Sequence, residues 1–350
     1  MDAKVQSGQI PGYVGAVRVR GETSVRAVGL VEDALFRIAS LSKPIGAVLT
    51  LALIEDGLLG LDDPVAKWLP EAAVPRVIAR FDGPLEETVE AVRPITVRQL
   101  LTMTAGWGVI LAQTPLQKAM IARGVFSGAL GHAMPADEFV AGVCSLPLAF
   151  QPGEGWLYDT PMNLLGVLLM RLTGRSLTGL LGERVFAPLG LRDTAFFGSP
   201  DRLATAYKAS GDGLAVFDPP DGRFSRPPHF EELNGGLVST CADVFRFFCA
   251  MADGELLSAD TRARMTADAL SREQRTSGFP ILDAGGSWGL GTGVYAGGAW
   301  GWDGGTGTTA RVDPALDVVG VLLTQRVMQD PSDAYPDFWE AVRRSAPRNR

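Results

Sequence analysis

Histidine, cysteine and lysine are scarce in this chain of 350 residues: two, three and five respectively, beside 42 glycines and 23 prolines. With only His132 and His229 available, any nucleophilic chemistry that needs a histidine base has two candidates. A zinc site built mainly of His and Cys would require nearly that whole inventory to converge, so neither a metal nor an organic cofactor is expected. The three cysteines, Cys144, Cys241 and Cys249, are odd in number and widely spaced. Cys241 and Cys249 would stand about 12 Å apart along a helix, beyond disulfide reach. No disulfide framework is indicated, which suits a reducing compartment.

Excess cation is missing too. Lys and Arg total 32 against 39 Asp and Glu, a formal net charge of −7. Nucleic-acid binding needs clustered cation to displace condensed counterions, so no nucleic-acid partner is expected. The longest apolar run, Pro44 to Ile54, is too short to cross a bilayer. The N-terminus carries no basic region followed by an apolar stretch of the kind a signal peptide needs. The expectation is a cytoplasmic protein without a membrane partner, and the sequence sets no oligomeric state.

What is present is a well-mixed apolar chain, 46% hydrophobic and 20% charged, with mean hydropathy +0.13. That is too apolar for disorder and sufficient for a large core. There is no internal repeat. Residues 13–37 are Val-rich and partly alternating, split by Gly-Glu-Thr, and predict two strands. Ser40 to Glu55 predicts a helix stopped at Asp56-Gly57, with Pro44 tolerated in its first turn. The middle zone carries helix starts at Ile95 and Ala136 and an apolar helix from Pro161 to Leu172; residues 203–226 read as loop. After Gly235-Gly236, helices at Ala242–Met251 and near residues 258–270 precede strand-like SWGLGTGVY, TTARVDP and DVVGVLLTQ. A closing helix is predicted over Asp333–Arg344. Strands at both ends with helices between them predict a mixed α/β architecture. In it, residues 1–58 and 235–350 form a sheet domain and 59–234 a mainly helical one.

Ser40-Leu41-Ser42-Lys43 is the first chemical motif. Residues i and i+3 share a helix face, so hydroxyl and amine can come within hydrogen-bond reach. At a helix N-terminus the macrodipole favours developing negative charge, and a desolvated lysine can act as a base. An ordinary N-cap serine followed by a first-turn lysine would read the same way. Lys43 is, however, the one lysine in the sequence with a serine three residues before it. Other motifs are weaker. Gly291-Thr292-Gly293-Val294-Tyr295-Ala296 fits a dinucleotide fingerprint formally, but Gly297-Gly298 follow where a helix must begin, so these are strand glycines. Asp62-Asp63 before Pro64 reads as a turn and helix cap. His132 and His229 sit in Gly- and Pro-rich text and read as surface residues, which leaves a Ser-His-Asp triad a minor alternative.

The flanks add a resemblance. FRIASLSKPIGAVLTLALIEDGLLGLDDPVAKWLP is followed in order by ITVRQLLTMTAGW, FQPGEGWLYDT, GGLVSTCADVFRFF and GWDGGTGTTARVDP. This succession resembles the serine β-lactamase and penicillin-binding-protein superfamily, in its class C-like branch and closest to family VIII carboxylesterases. The resemblance implies the β-lactamase/transpeptidase-like fold, with an antiparallel sheet built from both termini and an inserted helical region. It also implies an acyl-enzyme on Ser40 with Lys43 and Tyr158 as general base, the phenol kept partly deprotonated by the lysine charge. The family pattern Tyr-x-Asn stands here as Tyr158-Asp159-Thr160. Where lactamases carry Lys-Thr-Gly, this chain has Trp302-Asp303-Gly304-Gly305. The resemblance therefore assigns the oxyanion hole to the Ser40 and Gly305 amides, and substrate contacts to Trp302, Gly304 and Thr160. Losing the cation and the Asn points to small neutral esters, unless Arg311 restores a cation. A β-lactamase, a D-amino-acid peptidase or amidase, an acyltransferase, and an inactive binding protein of the same fold remain the alternatives.

Overall fold

The computed structural model describes residues 1–350 apart from 129, 212, 283–284, 330–334 and 347–350. Its main sheet is assembled from the two ends of the chain. The Val-rich segments form β1 (Tyr13–Val19) and β2 (Glu22–Val28). Arg20 and Gly21 join them with φ of 51° and 83°, the doubly positive backbone that a two-residue hairpin requires. The C-terminal third supplies β3 (Ser287–Trp288), β4 (Gly293–Val294), β5 (Trp300–Gly304), β6 (Thr308–Asp313) and β7 (Val318–Thr324). The order is β2-β1-β7-β6-β5-β4-β3, antiparallel throughout. β1 and β7 run in register from Tyr13 opposite Thr324 to Val19 opposite Val318. Every residue of β7 is buried, which is why VVGVLLT reads as a continuous apolar run rather than an alternating one.

Three helices position the site. α1 (Ser42–Glu55) is buried along nearly its whole length, and Gly57 at φ 76° lets Leu58 N–H return to the Leu53 carbonyl and close it. Pro44 is its third residue, where the missing N–H costs no internal bond. α2 (Thr160–Thr173) begins with Pro161 at its second position and stops at left-handed Gly174. α3 (Cys241–Asp253) is capped by Thr240, whose hydroxyl accepts from Asp243 N–H at 3.2 Å. It covers β7, β6 and β1, while α1 packs against α2. Among the described residues no single helix is long and apolar enough to cross a membrane.

Several local expectations need correction. Residues 203–226 are not all loop: Ala206–Ser210 pairs with Gly213–Asp218 as a hairpin, hidden in the text by Ala, Lys and Ser, which have little strand preference. Its Asp218 accepts from buried Arg37 Nε at 2.6 Å and so ties the hairpin to the strand leading into Ser40. The helix expected near residues 258–270 spans only Ala259–Met265. The closing helix is Pro336–Ser345; Asp333, its expected start, lies outside the described residues. Gly291 and Gly293 belong to strand and turn, with no helix after them. Asp63 does serve a turn, accepting from Gly60 N–H at 2.7 Å.

β5 and β6 hold the segment that carries Ser40. Thr308 Oγ1 donates to the Ile38 carbonyl at 3.0 Å, and the Thr306 hydroxyl donates to the Arg37 carbonyl. Contact this close is possible because position 304 is glycine. A Cβ there would stand 2.1 Å from Thr308 Oγ1, 2.6 Å from the Ile38 carbonyl oxygen and 3.3 Å from Ala39 Cβ. Gly304→Ala is therefore expected to push the 38–40 segment off the strand. Misplacing a reacting group by about 1 Å costs roughly 100-fold, so turnover should fall on that scale. Steady-state rates beside a melting curve check this; normal rates in folded protein would contradict it.

Candidate active site

Ser40 lies in a single 3-10 turn, Ala39–Leu41, that runs directly into α1. Helical spacing then puts Lys43 on the same face. Ala39, just before the nucleophile position, sits at φ 45°, left-handed backbone that costs a non-glycine residue about 1–3 kcal/mol and persists only where its surroundings impose it. Lys43 is completely buried. Its Nζ is 2.8 Å from Ser40 Oγ, 2.5 Å from Asp159 Oδ1 and 2.5 Å from the Asn234 carbonyl oxygen. Three acceptors match the three N–H bonds of an ammonium. Burial pulls the Lys43 pKa below the usual lysine value, and Asp159 opposes that pull. Burial likewise works to raise the Asp159 carboxyl, but the Lys43 charge and the Asn234 amide outweigh it and hold it below its ordinary range.

Tyr158 stands on the other side of Ser40. Its ring lies 4.2 Å from Lys43 Nζ, stacks on Trp156 at 5.5 Å between centroids and meets Trp288 and Trp302 edge-on or tilted. Its hydroxyl accepts from Trp302 Nε1–H. The phenol is not partly ionised as the resemblance implies. Burial, reinforced by the Asp159 charge, raises its pKa well above the free value despite the donors beside it. The Asp159 carboxylate offsets the lysine charge that would otherwise favour phenolate. Tyr158 is thus a neutral proton donor at rest.

Two cavities meet at Ser40, Tyr158 and Gly305. One, about 210 Å³, is lined among others by Ser127, Arg223, Phe230 and Asn234. The other, about 270 Å³, is more uniformly apolar, with Ile281, Leu282, Trp302 and Met328. Among the described residues no backbone hydrogen bond is donated by the Ser40 or Gly305 N–H. Two of the expected substrate contacts fall elsewhere. Thr160 is fully buried in the first turn of α2 and lines neither cavity. Gly304 also lines neither; its role is the close approach described above. Arg311 does not restore a substrate cation: it is bound to Asp303 at 2.8 Å and lies against Tyr295 and Trp339.

Sequence reasoning missed the polar layer behind Lys43. Asn234 Nδ2 donates to Asp159 Oδ2 at 2.7 Å, and Asn234 N–H donates to Asn163 Oδ1 at 3.0 Å. Asn163 Nδ2 in turn donates to Glu232 Oε2 at 2.9 Å, which also lies 2.8 Å from His132 Nδ1. His132 is therefore buried, packed against Phe139, and not a surface residue, whereas His229 is exposed. Among the described residues neither histidine is hydrogen-bonded to Ser40, so no Ser-His-Asp triad forms. Also among the described residues, no three His, Cys, Asp or Glu side chains converge as a metal site would require. The cysteines are free.

A serine hydroxyl held by a buried lysine beside a phenol, at the edge of an antiparallel sheet, marks the class of a β-lactamase-fold serine hydrolase. The Beta-lactamase family model matches residues 1–342, and the chain belongs to that family. Esterase EstB of Burkholderia gladioli is 30% identical over 372 aligned residues, covering 95% of this chain and 90% of that one. Monacolin J acid methylbutanoyltransferase of Aspergillus terreus is 29% identical over 293 residues, covering 76% and 68%. Among solved structures, EstCE1, a hydrolase with promiscuous acyltransferase activity, superposes with a TM-score of 0.83 at 24% identity, covering 97% and 96% of the chains.

Proposed function

We propose that the protein is a serine esterase that cleaves small neutral carboxylic esters through an acyl-enzyme on Ser40. The observation that carries this is the Lys43 Nζ to Ser40 Oγ contact of 2.8 Å, at the junction of two cavities and beside two uncommitted amides. In the active form Lys43 is an amine and the hydrogen bond reverses, with Ser40 donating. Oγ attacks the ester carbonyl carbon while its proton passes to Nζ. The Ser40 and Gly305 N–H groups receive the oxyanion; removing one such donor typically costs roughly 10²–10³ in rate. Collapse breaks the carbon–oxygen bond, and the Tyr158 phenol gives its proton to the departing alkoxide. The Lys43 ammonium then returns the proton to the phenolate. Water enters along the same path in reverse and restores Ser40.

Neutral esters are favoured because Trp302 presents an apolar wall and Arg311 is committed to Asp303. Acyl transfer is a second reading, supported by the paired cavities: one could hold the acyl group while an acceptor alcohol enters the other. Rates on p-nitrophenyl butyrate and on nitrocefin separate the classes. The expected ester kcat/KM exceeds the lactam value by at least about 100-fold, the scale on which a site missing a required polar contact rejects a substrate. Faster lactam turnover would overturn the neutral-ester reading. No turnover of either substrate would favour a binding protein.

A further inference from the structure

The catalytic lysine has a carboxylate partner that the sequence pattern does not reveal. Asp159 occupies the middle of the Tyr158-Asp159-Thr160 triplet, and its backbone sits at φ 85°, ψ −68°, outside the ordinary regions for a side-chain-bearing residue. That conformation turns the carboxylate towards Lys43 rather than towards the open N-terminus of α2, where an N-cap aspartate would place it: Asp159 makes no cap bond. Its two oxygens are both engaged, Oδ1 by Lys43 Nζ at 2.5 Å and Oδ2 by Asn234 Nδ2 at 2.7 Å. Asn234 also gives its carbonyl to Nζ, so one residue fixes both the lysine and its counter-ion.

We propose that Asp159 is a positioning residue for Lys43, holding Nζ against Ser40 Oγ and stabilising the ammonium that forms when Ser40 gives up its proton. This rests on Ser40 and Lys43 acting as nucleophile and base. Without Asp159, protonating Lys43 would create a net charge in a site cut off from water. With it, the same step converts a net negative pair into a neutral one, which a low-dielectric site accepts more readily. Aspartate performs the corresponding service for the histidine of a Ser-His-Asp triad. No other charged group touches Lys43. Glu232 acts on it only at longer range and is itself held by His132 and Asn163, and Tyr158 faces it through its ring.

The test is the pH dependence of kcat/KM in Asp159→Asn and Asp159→Gly. Asparagine keeps the acceptor at Oδ1 and tolerates positive φ; glycine suits φ 85° and guards against a folding failure. Losing the carboxylate lowers the Lys43 pKa, so the amine persists to lower pH. The acid limb should move down by about 1–3 units, the usual effect of one adjacent opposite charge. Plateau kcat should fall roughly 10- to 100-fold as the base weakens, with KM within about twofold. A limb that stays at the wild-type pH in both folded variants would overturn the assignment, since lost packing alone changes rate without moving a titration. Ser40→Ala, assayed in parallel, separates the two levels. If it retains turnover, the nucleophile reading falls and the Asp159 role with it; if it is inactive and the limb is fixed, the Asp159 role falls alone.

Discussion

Ser40→Ala is expected to lower ester turnover by about 10⁴- to 10⁶-fold, the range seen when a serine nucleophile is removed from an otherwise intact site. Folding should be little affected. Ser40 Oγ is one of three acceptors around Lys43 Nζ, and the other two, Asp159 and Asn234, remain. KM should change little for whatever activity survives, because the two cavities and the unpaired amides are untouched. Turnover and an unfolding curve on the same preparation check both parts. Loss of activity with loss of fold would not count as support; retention of activity would remove Ser40 from the chemistry.

Lys43→Met should have the largest combined effect. Activity is lost with the base. Stability falls as well, because the Asp159 carboxylate is then buried without its counter-ion, and breaking a buried pair from one side costs about 3–5 kcal/mol. The sign of the pH dependence is specific. In the wild type the Asp159 carboxyl is held below its unfolded value, so its contribution is present above the unfolded pKa and is lost as pH falls through the folded one. With Lys43 gone, burial dominates and raises the carboxyl above its unfolded value. The variant then pays for ionisation at high pH and recovers as the group protonates. The stability gap between wild type and Lys43→Met should therefore be wider near pH 8 than near pH 5. A gap that is constant, or wider in acid, would show that Asp159 and Lys43 are not a charged pair.

The fold was largely readable because its signals are local or lie at the chain ends. β1, β2, β6 and β7 have the Val and Thr content of strands, and α1 and α2 have apolar periodicity with Pro at the start and Gly at the stop. The Ser40–Lys43 pair was readable for the same reason, being three residues apart on one helix. Its partners were not. Asp159 lies 116 residues from Lys43 and Glu232 lies 100 from His132, and neither pairing has a spacing signature. The family pattern directed attention to Thr160, one position too far, since the functional direction of the side chain depends on a positive φ at Asp159 that the text does not announce. His132 looked exposed because Gly and Pro surround it in sequence. Its burial comes from Phe139, Phe230 and Glu232 arriving from elsewhere. The Asp159 signal that could have been used was chemical: an acidic residue beside a tyrosine in an otherwise apolar stretch.

The most direct test is intact-mass spectrometry of the protein quenched during turnover of a short-chain ester, followed by peptide mapping of the adduct. Addition of one acyl group, on Ser40, with none on Ser40→Ala, is the result expected. An unmodified protein that still turns over the ester, or an acyl group on any other residue, would contradict the assignment of Ser40 as the nucleophile.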